Sequence, residues 1–141
     1  NPKPGDQAKV NREKAKQLDP SVTVLRIVWW TNMYSKADYS VTPRPNYLAD
    51  GRKMPDCYSH PASLRDDLQK ELGQFPLFKF WGPATDIAAT QSIADASVYT
   101  DKRYDPTLTL IYLPHLDYCL QKFGTYLTKL YNDLKEIDKF L

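Results

Sequence analysis

The chain has 141 residues, 19 of them Lys or Arg and 17 Asp or Glu, for a formal net charge of +2. That length fits one domain whose single core buries roughly two thirds of the unfolded surface, and the interspersed charge leaves no electrostatic footprint for a nucleic acid duplex. No apolar run approaches the roughly 20 residues a membrane helix needs and no signal-peptide pattern opens the chain, so the expectation is a soluble, cytoplasmic protein.

Cys57 and Cys119 stand far apart in no C-x-x-C spacing, which excludes a readable zinc ribbon or redox motif. Two reduced thiols are the plainer reading, with a single disulfide left open. There are 11 prolines, 10 tyrosines and 3 tryptophans. This predicts well-packed loops, because aromatic rings supply burial where regular structure is missing. The chain opens on Asn1 without an initiator Met, which allows processing or a fragment.

In chain order, N-P-K-P-G at residues 1–5 reads as a mobile lead-in. Asp6 to Leu18 reads as a surface helix with Asp6 at its cap and a thin apolar face, stopped by Asp19-Pro20. Ser21 to Trp30, S-V-T-V-L-R-I-V-W-W, predicts a central strand covered on both faces. Residues 31–60 show no sustained period and are rich in turn residues, so they predict a long ordered aromatic loop over the active edge. Pro61 to Leu72 predicts a helix through Leu64, Leu68 and Leu72, ended by Gly73. Leu77 to Trp81 alternates around Lys79 and predicts a short strand broken by Gly82-Pro83. Ile87 to Tyr99 predicts a helix capped by Thr85 or Asp86, followed by a charged turn at 101–106. Thr107 to Leu113 predicts a buried strand. Leu127, Leu130, Leu134, Ile137 and Leu141 place a seam on a final helix from Thr125 to Leu141. At little more than two heptads, that seam suits core packing or a half-exposed interface better than a coiled coil. The alternation of strands and helices implies an α/β fold with a mostly parallel sheet flanked by helices.

The strand Thr107–Leu113 stops at Pro114 and is followed by His115 and Asp117. Past the carboxyl end of a buried strand is where open α/β sheets hold ligands and metals. If the chain stays extended to Asp117, the two side chains point to the same side and can bind zinc or orient each other for proton transfer. As residue types alone, one His and one Asp are equally at home as surface or hydrogen-bonded groups. In the loop, Trp30, Asn32, Tyr34 and Tyr39 are candidates to line a substrate pocket, with Arg44, Arg52 or Lys53 reaching a phosphate. The same aromatics also serve as anchors of a long loop. No G-x-S-x-G elbow, S-x-x-K, G-x-G-x-x-G or P-loop occurs.

The run W-W, then Y-S-V-T-P-R-P-x-Y-x-A-D-G-R-K-x-P-D, then G-Q-F-P-L-F-K-F-W-G-P, then L-x-L-I-Y-L-P-H-L-D-Y resembles bacterial proteins of the type I phosphodiesterase and nucleotide pyrophosphatase family, within the alkaline phosphatase superfamily. The likeness covers about 20–124 and thins at both ends. It implies a partial alkaline-phosphatase-like fold and hydrolysis of phosphodiester or pyrophosphate bonds. It also implies two divalent metal ions, usually zinc, a Thr or Ser nucleophile and a small phosphodiester or nucleotide-like substrate. Asp117 matches the metal-ligand Asp of the family's D-x-x-x-H motif, but the fourth residue on is Gln121, a poor zinc ligand. The resemblance places the nucleophile and the remaining ligands outside this sequence. The chain therefore reads as an internal fragment: a lead-in and helix at 1–19, a family-like core at 20–124 and an amphipathic helix at 125–141. Such a fragment should be inactive alone, and strand edges it leaves open would favour self-association. The competing expectation is a non-catalytic ligand-binding or protein-interaction module.

Overall fold

A computed structural model describes residues 14–28, 32, 35–80, 84–124 and 127–141, without the side chains of Cys119 and Leu127. Helix α1 is described over residues 14–18. Strands β1 (Val24–Ile27), β2 (Tyr39–Pro43), β3 (Asn46–Tyr47), β4 (Lys53–Met54) and β5 (Cys57–His60) come next. Helix α2 (Ser63–Leu72), a 3-10 turn at Leu77–Lys79 and helix α3 (Ile87–Tyr104) lead into β6 (Leu108–Ile111). Helices α4 (His115–Phe123) and α5 (Leu127–Asp138) close the described chain.

Four strands form one sheet in the order β5-β2-β1-β6, and β3 and β4 pair by themselves. β1 pairs with β2 and β6 in parallel, and only β5 runs antiparallel, against β2. The α/β, mostly parallel architecture is the one expected. Central strand β1 explains its own composition: Val24, Leu25 and Ile27 have no exposed surface, as a strand covered on both faces requires.

Side chains alternate along a strand, so Leu25 and Ile27 share a face with Val41, the residue opposite Ile27. That face packs under Leu64 and Leu68 of α2, Phe80, and Ala89 and Ile93 of α3. Burying each such side chain contributes about 1.5–3 kcal/mol. The reverse face carries Arg26 opposite Ser40, both buried. Beside α1, the side chain of Asp38 accepts from Lys16 Nζ (2.5 Å) and from Val24 N–H (2.8 Å), which ties the helix to the start of β1.

Several expectations are corrected. The segment 31–60 is not one loop, because it contains β2, the β3–β4 pair and β5. Its polar residues Ser40, Thr42 and Ser59 are buried, so covered strands here lack the apolar signature that usually marks them. Leu77–Phe80 is not strand, and Trp81 lies outside the described residues. Leu77 and Phe80, three apart, are each 1% exposed while Phe78 is 59% exposed, the spacing of a 3-10 turn rather than an alternating strand. α3 continues beyond Tyr99 to Tyr104, so the charged stretch forms its last turn. Lys102 and Arg103 there complement the helix dipole. The strand expected over Ser21–Trp30 is ordered as β1 only from Val24 to Ile27, and Trp29 and Trp30 lie outside the described residues. The lead-in and the Asp6 cap lie outside them too. On α5 the seam is half-exposed: Ile137 is buried, whereas Leu134 is 50% exposed. Among the described residues no helix is long and apolar enough to cross a membrane.

Candidate functional site

The carboxyl ends of β1, β2 and β6 define the edge at which a parallel sheet holds ligands. Three features meet it: the N-terminus of α4, a cavity under α2 and α3, and the chain leaving and re-entering the sheet between β2 and β5.

α4 begins at His115 directly after Pro114, whose fixed φ suits the start of a helix. This overturns the extended reading of Pro114–Asp117. Two residues apart on a helix are about 200° apart around its axis, so His115 and Asp117 do not point to the same side. His115 is buried and faces α5, with Nε2 3.5 Å from Asp133 Oδ1. Asp117 is exposed in the first turn. Four residues on, Gln121 lies on the same face, and its Nε2 donates to Asp117 Oδ2 at 3.0 Å. An amide N–H thus sits against the Asp117 carboxylate from one helical turn on.

Two tyrosines lie within electrostatic reach of the Asp117 carboxylate. Burial first, and then the charge of Asp117, push the Tyr112 hydroxyl up from its ordinary value. Burial, Tyr112 and Asp117 do the same to Tyr118. Both hydroxyls remain protonated donors at neutral pH. Tyr118 meets Phe80 edge-on at 6.1 Å, and Phe80 meets Phe75 at 5.6 Å. This line of rings connects α4 to the cavity.

The cavity is small, about 50 Å³. Ile27, Val28, Val41 and Pro43 form its floor at the ends of β1 and β2, and Leu68, Phe75 and Ile93 its walls. Cys57, a free thiol, also lines it. Burial and the neighbouring Asp56 carboxylate push that thiol up to about 11, so it stays protonated and unreactive at neutral pH.

Asp56 is the hub of this side. It is 7% exposed and accepts from Arg65 Nε (2.6 Å) and Nη2 (2.9 Å), Gln69 Nε2 (3.2 Å), Asn46 Nδ2 (2.5 Å) and Cys57 N–H (2.8 Å). Burial raises its carboxyl, but the Arg65 hydrogen bonds and charge, with those of Cys57 and Gln69, outweigh burial and hold it below the usual carboxylate range. Sequence reasoning missed this group, because its partners come from a loop and a helix that only the tertiary fold brings together.

The substrate-pocket candidates disperse. Trp30 and Tyr34 lie outside the described residues. Asn32 sits at the carboxyl edge but is 2% exposed, and its Nδ2 lies 3.2 Å from Arg26 O, 3.3 Å from Val41 O and 2.8 Å from Thr42 Oγ1. Those contacts tie Asn32 to β1 and β2. Tyr39 starts β2 at the opposite, amino end and stacks on Tyr104 at 4.1 Å. Arg44 is exposed just past β2 at the carboxyl edge, with its N–H donating to Asp56 O. The structure therefore brings Asp117 and Gln121 into contact and places Asn32 and Arg44 along the same edge. It sets Tyr39 apart.

A two-ion centre needs several carboxylate and imidazole ligands around each metal. Among the described residues no group of three His, Cys, Asp or Glu side chains is placed to hold an ion. One exposed carboxylate bonded to an amide does not fit such a centre by itself. The sequence model of the type I phosphodiesterase / nucleotide pyrophosphatase family matches residues 8–141. No curated protein and no solved structure matches the chain.

Proposed function

This chain belongs to the type I phosphodiesterase / nucleotide pyrophosphatase family, and we propose that it forms one wall of a metal-dependent site that hydrolyses phosphodiester or pyrophosphate bonds, with Asp117 as a metal ligand. Members of the family act on phosphodiester or nucleotide substrates and generally depend on metal ions. The observation that carries the reading is the family match over residues 8–141, together with the position of Asp117 in the first turn of α4 at the carboxyl edge of the parallel sheet. Asp117 presents an exposed carboxylate there.

The clamp and the nucleophile needed for phosphoryl transfer would come from further segments of a longer catalytic domain, so the 141-residue chain is expected to be inactive. Incubation with bis(p-nitrophenyl) phosphate and zinc tests this: no turnover is expected, and metal-dependent release of nitrophenol would overturn it. The coding sequence on either side should encode a Thr or Ser nucleophile upstream and an Asp-His pair downstream. A full-length gene lacking both would favour the second reading, a ligand-binding module, which the amide at Gln121 supports.

Self-association is the accompanying proposal. The N–H groups of Leu108 and Tyr112 point to β1, so those of Thr109 and Ile111 point outward along an edge with no partner strand among the described residues. Ile111 is 43% exposed there. Sedimentation should show concentration-dependent association that Ile111→Lys abolishes; a monomer at all concentrations, or association unchanged in the variant, would count against this edge.

A further inference from the structure

Of the 5 glycines in the chain, only Gly51 follows an Asp or an Asn. The Asp50–Gly51 step stands at the tip of the hairpin in which β3 and β4 pair Asn46 with Met54 and Tyr47 with Lys53. Asp50, Gly51 and Arg52 are all exposed. Gly51 holds φ 85°, a left-handed conformation that glycine adopts without strain. Nothing lies within 4 Å of the point where a Cβ on Gly51 would stand, so the space beside this residue is open.

An aspartate before glycine can react with its own backbone, because no side chain shields the nitrogen that follows it. Here Gly51 N would attack Asp50 Cγ. The N–H proton and a proton from solvent leave with one carboxylate oxygen as water, and a succinimide ring closes. Water then opens either carbonyl of that ring. At Cγ it restores aspartate; at the main-chain carbonyl it leaves isoaspartate, whose chain runs on through Cβ and Cγ. Water is lost once and gained once, and nothing is oxidised or reduced. Both reacting groups are occupied in this fold. Asp50 Oδ1 accepts from Arg52 N–H at 3.0 Å and Oδ2 from Arg52 Nε at 2.7 Å, so each carboxylate oxygen is held. Gly51 N–H donates to Leu48 O at 3.0 Å, which commits its hydrogen as well.

We propose that Asp50–Gly51 is a covalent modification site, where isoaspartate forms spontaneously at a rate restrained by the clamp of Arg52 on the carboxylate. The extra main-chain carbon of the product falls between Leu48 and Arg52, whose N–H···O bond of 2.9 Å closes the turn. A hairpin paired through only two residues a side has little else to hold its register. Its root lies outside the altered segment: Asn46 Nδ2 and Arg44 N–H donate to Asp56, and Gln74 Nε2 donates to Pro55 O. Isomerisation therefore unpairs β3 from β4 and leaves β2 joined to β5. It also frees a main-chain carboxylate, the group that an isoaspartate-specific carboxyl methyltransferase esterifies, so a repair enzyme of that class is the partner the site fits. The proposal is independent of the phosphodiesterase reading.

Incubation of the folded 141-residue chain in heavy-oxygen water at neutral pH, followed by peptide mapping with mass spectrometry, tests the assignment. Each passage through the ring leaves one heavy oxygen at residue 50, whichever carbonyl the water opens. Label should accumulate at Asp50 ahead of every other aspartate, and the same peptide should accept a methyl group from an isoaspartate-specific methyltransferase. Arg52→Ala should raise the labelling rate about threefold, since an exposed ion pair holds a side chain only weakly. Unfolding in urea, which releases Gly51 N–H too, should raise it further. Lys53→Ala should leave the rate unchanged, because that ammonium stands over the Tyr47 ring instead. The Arg52 side chain is 76% exposed, so its variant keeps the fold, and an unchanged circular dichroism spectrum verifies this. Absence of label at Asp50 in both the folded and the unfolded chain would overturn the site. A folded Arg52→Ala no faster than wild type, or a folded wild type as fast as the unfolded chain, would overturn the clamp.

Discussion

Replacing Asp56 with alanine should lower the unfolding free energy by about 3 kcal/mol, the low end of what removing one partner of a buried ion pair costs. The low end applies because the Arg65 side chain is 37% exposed and keeps Asp66 at 2.6 Å, so it is not left buried and unpaired. The remaining loss falls on the Cys57 N–H and on the Asn46 and Gln69 amides that the carboxylate gathers. With a urea slope of roughly 1.5 kcal/mol per molar, the midpoint falls by about 2 M. The same group sets a pH dependence. Its folded-state value lies below the unfolded one, so the folded form binds fewer protons between the two. The stability it contributes is complete above about pH 4 and is lost as the pH falls through the lowered value. Asp56→Asn should keep the shape and flatten that acid limb. Wild-type and variant curves that stay parallel between pH 5 and pH 2, or an alanine variant within about 0.5 kcal/mol of wild type, would show that the hub does not hold the hairpin to α2.

What could be read from the residues depended on whether a signal was local. The fully buried run Val24–Ile27 and the Leu64–Leu68 spacing are local, and each declares its element. β2 and β5 hide because Ser40, Thr42 and Ser59 are buried as polar groups within a sheet covered on both faces. The turn at Leu77–Lys79 hides because three residues can satisfy an alternating or a three-residue period equally well. At the site, the four-residue spacing of Asp117 and Gln121 was legible, but helix α4, which makes it one turn, was not, because the chain past Pro114 reads as extended. The orientation of His115 was not, since it depends on whether Pro114 ends a strand or opens a helix. The Asp56–Arg65 pair joins a loop to a helix across nine residues and has no sequence signature.

Gln121→His should raise zinc affinity on the order of tenfold or more, each factor of ten being 1.4 kcal/mol. The reason is geometric: Gln121 Nε2 already lies 3.0 Å from Asp117 Oδ2, so a side chain at this position reaches the space next to the carboxylate. An imidazole nitrogen placed there is a zinc ligand, whereas an amide is not. Both residues are exposed, so the substitution should change stability by no more than about 0.5 kcal/mol. Zinc competes with protons for the imidazole, and the gain should therefore fade as the pH falls below about 6.5. His115 cannot supply the same nitrogen, because it faces Asp133 on α5. Calorimetric titration of wild type, Gln121→His and Gln121→His with Asp117→Ala separates the cases. A gain that disappears in the double variant places the metal on this helical face. Equal affinity in wild type and Gln121→His, or a gain that survives the loss of Asp117, would remove Asp117 from the metal site and leave the binding-module reading in its place.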